Sequence, residues 1–127
     1  MRELRALLNE TLLSGDLELI AGIDRHERHL DLYPRGDPAS WALGTAWPLV
    51  ACDLGLDCGP TSRALDRLCL QSDGACGAAS LEAAYRYTLH AAIFERIQAR
   101  RAQLLAVIRS GQVNNIFAST AADPGGP

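Results

Sequence analysis

Four cysteines, Cys52, Cys58, Cys69 and Cys76, lie within 25 residues in the pattern C-x5-C-x10-C-x6-C. Cysteine can close a disulfide, ligate a metal or fill a core as a small apolar side chain. Zinc sites usually offer ligands in pairs two to four residues apart, and no gap here is that short. An even count in one short stretch fits two disulfides in an oxidising compartment better. A four-cysteine metal site and reduced core thiols are the alternatives. Cys58 precedes an expected helix and Cys69 lies near its end. At about 1.5 Å per residue that separation exceeds 10 Å, beyond the roughly 7 Å Cα spacing of a disulfide. Local bonds Cys52–Cys58 and Cys69–Cys76 are therefore expected first, and the crossed pair Cys52–Cys69 with Cys58–Cys76 second.

The other chemistry-bearing residues form weaker sets. Asp24-Arg25-His26-Glu27-Arg28-His29-Leu30-Asp31 is rich in ligands, and His26 and His29 are weak metal candidates. A zinc-protease helix spaces its histidines four apart around a glutamate, which this stretch does not do. Alternating charge on a helix is ordinarily a solvated face. Asp53, Asp57, Asp66 and Asp73 surround the cysteines. Paired carboxylates do acid–base work only where their surroundings separate their pKa values, and aspartate beside a glycine turn commonly shapes the turn instead. Ser40, Thr61, Ser62 and Ser80 fall at expected helix starts, where hydroxyls cap, and none sits in a G-x-S-x-G elbow. The chain has no lysine among its 12 basic residues, so lysine Schiff-base chemistry is excluded. A GC-rich genome explains that bias.

Helices must position these residues. Leu4, Leu7, Leu8, Thr11 and Leu12 recur at helical spacing and predict a helix over 2–13. Ser14-Gly15-Asp16 supplies a stop and a new N-cap, predicting a second helix over 16–33 with Leu19, Ile20, Ile23 and Leu30 inward. Pro34-Arg35-Gly36 breaks the chain, and Asp37-Pro38 starts a third helix over 38–54 that is apolar on every side. Pro48 should kink it, because its nitrogen cannot donate to the Gly44 carbonyl. A fourth helix is expected to about 71, a fifth over 80–89 and a sixth over 91–109 ended by Gly111. His90, Phe94, Ile97, Arg101, Leu104 and Ile108 follow a 4-3-4-3-4 spacing that defines a seam on that last helix. Arg101 interrupts the apolar stripe. It either pairs with a buried acid or, with His90, Phe94 and Ile97, anchors a partner. The only segment with strand character is 113–117.

The expected fold is an all-α domain of five or six helices over 1–118, with a kinked central apolar helix, two disulfides and a disordered tail over 119–127. The length suits a single core, and 48% hydrophobic with 21% charged residues is ordinary for a globular chain. A net charge of −3 without a dense basic face argues against nucleic acid. The longest uncharged run, 38–52, is too short to span a bilayer. Met1-Arg2-Glu3 opens a helix rather than a leader, so for an exported protein this chain would be the mature form or a domain cut from a longer chain with a new Met1.

One stretch carries a resemblance. Ala46-Trp47-Pro48-Leu49-Val50-Ala51-Cys52-Asp53-Leu54-Gly55-Leu56-Asp57-Cys58, followed by Cys69 and a Gly-rich approach to Cys76, resembles an uncharacterised family of helical proteins from GC-rich Gram-negative bacteria. The similarity takes in Gly36-Asp37-Pro38 and residues 96–111. Members are often predicted to be exported, which implies an oxidising compartment and carries over no site residue. The expected function is a protein-binding or structural helical module of the bacterial envelope, periplasmic or secreted, with a cytoplasmic location as the alternative. No cofactor is called for. The rival functions are an envelope enzyme using Asp53 and Asp57 with His90, and a metal-binding domain using His26 and His29.

Overall fold

The computed structural model describes residues 2–23 and 40–111, and every regular element among them is helical. In chain order these are α1 (Arg2–Ser14), α2 (Leu17–Ala21), α3 (Ser40–Leu43), α4 (Ala46–Asp53), α5 (Arg63–Gln71), a 3-10 turn (Asp73–Ala75), α6 (Leu81–Thr88) and α7 (Ala91–Ser110). The remainder of the expected second helix with Leu30, the Pro34 break, the Asp37-Pro38 start, 113–117 and the tail lie outside the described residues.

The all-α class is as expected, and its centre is α4. Ala46, Trp47, Leu49, Val50 and Ala51 are all fully buried. Helix α2 packs against α4 from one side and α7 from another, while α3 also lies on α7. Leu8 and Leu12 of α1, Ile20, Ile23, Leu81, Phe94, Ile97 and Leu104 complete one continuous core. Burying each large side chain contributes roughly 1.5–3 kcal/mol, so the core rests on these residues. Leu65, Ala75 and Ala84 form a smaller cluster under the 3-10 turn.

The central helix is broken, four residues before the proline. Two helical pieces meet at Gly44–Thr45, where the Thr45 N–H donates to the Ala42 carbonyl and the Trp47 N–H to the Gly44 carbonyl. Pro48 then falls in the first turn of α4, where an N–H has no intrahelical partner to lose. The carbonyl its ring would have struck is Gly44's, which is where the chain turns.

Caps account for most boundaries. The side chains of Asp16, Ser62 and Ser80 accept hydrogen bonds from the Leu19, Leu65 and Ala83 N–H groups. Helix α4 ends in a Schellman turn: Leu56 N–H donates to Ala51 O and Gly55 N–H to Cys52 O, with Gly55 at φ +123°. Two expectations fail. Helix α2 stops at Ala21 because Gly22 caps it, far short of residue 33. Leu19, expected inward, is 56% exposed, as is Leu7 at 55%, since short α2 buries only its Ile20 edge.

The disulfides are the local pair. Cys52–Cys58 closes the turn after α4 with Cα atoms 5.8 Å apart, and Cys69–Cys76 closes the loop after α5 at 4.7 Å. Loops this short remove about 2 kcal/mol of unfolded-state entropy per bond. In urea unfolding, the Cys52→Ser/Cys58→Ser double variant should stay folded and lose about 2 kcal/mol. Ile97→Ala should cost about 2–5 kcal/mol, and Leu70→Ala on the surface less than about 0.5 kcal/mol.

Candidate functional site

The densest polar constellation centres on Arg101. Its seam position brings the guanidinium to the C-terminal end of α4 and the first turn of α6. Nε and one terminal nitrogen donate to the two Asp53 carboxylate oxygens at 2.7 and 2.6 Å, a bidentate pair. The other terminal nitrogen donates to Glu82 Oε1 at 2.8 Å and Gln98 Oε1 at 2.9 Å. Gln98 Nε2 in turn donates to Glu82 Oε2 at 3.2 Å, and Arg86 donates to the same oxygen at 3.1 Å. Arg86 also lies 4.8 Å over the Phe94 ring, a cation–π contact. The side chains of Arg101 and Asp53 are only 16% and 21% exposed.

The electrostatics follow from that geometry. The hydrogen bond from Arg101 holds the Glu82 carboxyl below its ordinary value, against the opposing effect of burial. Its bond to Asp53 holds Arg101 even more firmly protonated than an ordinary arginine. Glu82 and Arg101 are therefore each held in the charged form. The cluster clamps α4, α6 and α7 together. The alternative in which Arg101 pairs with an acid of its own chain is the one present, and the sequence did not identify Asp53 or Glu82 as its partners.

The remaining candidates have separate structural duties. All four cysteines are in disulfides. Asp57 Oδ1 accepts from the Gly59 N–H within the turn. His90 is exposed at the N-cap of α7, where Nδ1 accepts from the Ala92 N–H. Ser62 is buried, accepting from Leu65 N–H while its hydroxyl donates to the Gly59 carbonyl. Asp66 and Asp73 are exposed. Asp53, Asp57 and His90 are thus each held by a different partner. Phe94 and Ile97 are core residues at 4% and 0% exposure, so the quartet with His90 and Arg101 is not a surface patch. Its seam faces inward, where Phe94, Ile97 and Leu104 join the core cluster that contains α4. His26 and His29 lie outside the described residues. Among those described, no group of three or more His, Cys, Asp or Glu is placed to hold a metal ion.

Two concave surfaces were not foreseen. One is an open depression of about 510 Å³ beside the second disulfide, bordered by Tyr87, Gly74, Cys76, Gly77, Ala78 and Ala83. The other is a cleft of about 180 Å³ where α2, α4, α5 and α6 meet. A signal for the first was Tyr87 in the last turn of α6 together with the small residues of 74–79. The cleft depends on tertiary packing and had none. Neither a protein-family model, nor a curated protein, nor a solved structure matches the chain.

In unfolding experiments, Arg101→Met should cost about 2–3 kcal/mol. Combining it with Asp53→Asn should cost less than the sum of the single changes, since the acid's stranded charge is gone. The depressed Glu82 carboxyl contributes stability above its ordinary value near 4.5, and this is lost as pH falls through its lower folded value. Glu82→Gln should therefore flatten the pH dependence of stability below about 4.5.

Proposed function

We propose that this chain is a disulfide-stapled helical module of the bacterial cell envelope, periplasmic or secreted, that acts by binding another protein. The observation that carries the reading is the face beside the Cys69–Cys76 loop, where Tyr87 stands 78% exposed at the border of an open depression. Tyrosine is enriched among the residues that dominate binding energy, because a rigid ring and a hydroxyl are buried at little entropic cost. Gly74 lets the ring lie against the loop: a Cβ there would meet Tyr87 Cε1 and Thr88 Cγ2 at 3.3 Å.

The loop needs little ordering on binding. A disulfide closes it, the 3-10 turn fills it, and buried Ala75 pins it to the smaller core cluster. Such preorganisation reduces the entropy lost on association. Two disulfides support an oxidising compartment. The enzyme alternative is weakened because Asp53 is bound by Arg101 while Asp57 and His90 are each engaged by nearby backbone N–H groups. No described helix is long and apolar enough to cross a membrane, so the module would act from outside the bilayer or through a separate anchor.

The test places a photo-crosslinking amino acid at position 87 and, as a control, at exposed position 99 in the producing bacterium. A single saturable adduct is expected from position 87 and none from 99. It should be competed by added native protein and not by the Tyr87→Ala variant. Equal labelling from both positions, or no adduct, would sink the binding face. Four free thiols in protein recovered from its native compartment would sink the assigned location.

A further inference from the structure

We infer that the cleft between α2, α4, α5 and α6 binds a free α-amino acid with an aliphatic side chain. Its volume of about 180 Å³ lies below the roughly 300–1,000 Å³ of drug-sized ligand sites. A hollow of that size suits one small molecule.

The walls define the chemistry. Leu81 is buried at the bottom, with Pro48, Leu68 and Tyr85 half-buried around it. Glu18 stands on the rim from α2 and Arg67 from α5. These charges have opposite sign and share a hollow, yet neither has a hydrogen-bond or ion-pair partner among the described residues. In the Arg101 cluster, by contrast, unlike charges close on one another directly. A zwitterion satisfies both rim charges at once. Its carboxylate accepts two parallel N–H bonds from the planar Arg67 guanidinium, its ammonium donates to the Glu18 carboxylate, and its side chain lies over Leu68 and Leu81. A dicarboxylate or a diamine presents the wrong sign to one rim. The residues lining this cleft are distinct from those bordering the Tyr87 face, although α6 contributes to both, so a leucine titration and a crosslink at position 87 read the two proposals separately.

The full chain is titrated with L-leucine, N-acetyl-L-leucine and L-leucinamide, following backbone amide signals by NMR. L-leucine should shift the signals of Ala64, Leu68 and Tyr85 saturably. The derivatives, each lacking one charge, should bind about tenfold or more weakly. Arg67→Gln and Glu18→Gln should each weaken L-leucine by a similar factor with the melting temperature unchanged, as both side chains are exposed. Glu18→Gln should leave the weak binding of N-acetyl-L-leucine as it is. The proposal is overturned if L-leucine gives no saturable shift at the cleft. Equal affinity for all three probes, or unchanged L-leucine affinity in both variants, overturns it as well.

Discussion

Burial of the apolar side chains of α4 is the constraint to which the rest of the chain conforms. A helix with Trp47, Leu49, Val50 and the flanking alanines all removed from solvent needs neighbours on every side. Short α2 and long α7 supply two of them directly. The same burial creates a difficulty at the end of the helix, where Asp53 carries a charge to the edge of the core. Removing that charge from water is costly unless it is paired. Arg101 answers it with two parallel hydrogen bonds, and the residue before Asp53 is covalently tied to the following turn.

Arg101 also gives α7 a register. The remainder of its seam is aliphatic and aromatic, and such a stripe packs tolerably after a shift of one helical turn. A guanidinium forked onto Asp53 and reaching Glu82 with its remaining nitrogen has only one satisfactory position. Sliding α7 would leave at least one carboxylate unpaired at the core edge, with a penalty exceeding that of imperfect apolar packing. A polar interruption in the stripe therefore excludes neighbouring alignments, and Gln98 and Arg86 extend it by satisfying the second oxygen of Glu82.

Local chemistry was legible in the amino-acid order. Ser14-Gly15-Asp16, Ser62, Ser80 and Gly111 mark boundaries through bonds within a few residues, so nothing distant could override them. The disulfide pairing was partly legible: helix length forbids Cys58–Cys69, and short reach ranked the local pair above the crossed one that remained. What depended on contacts between distant segments was not. Leu19 has the right spacing for an inward position, but α2 stops at Gly22 and turns only its Ile20 edge to α4. The break at Gly44–Thr45 was assigned to Pro48, whose effect is relieved one turn earlier in the chain. Asp53 and Arg101 are 48 residues apart, and no periodicity relates one to the other. The cleft is likewise a product of four helices meeting.

Helix α5 connects these constraints to the two surfaces. At its N-terminal side, the Cys58 carbonyl accepts from the Leu81 N–H and thereby joins the first disulfide to the start of α6. At its C-terminal side, Cys69 is bonded to Cys76 beyond the 3-10 turn. The helix between them buries little besides Leu65, so apolar packing alone would hold a nine-residue helix loosely, and isolated helices that short are marginal in water. Cross-links at each flank compensate for that small core. They hold in place the element whose side chains Ala64, Arg67 and Leu68 line the cleft and whose end leads through Cys69 into the disulfide-closed loop. The cysteines therefore matter less to global stability than to the shape of a thinly buried helix. That is where rigidity has an effect on recognition, because a surface held in its binding form loses less entropy when it is covered.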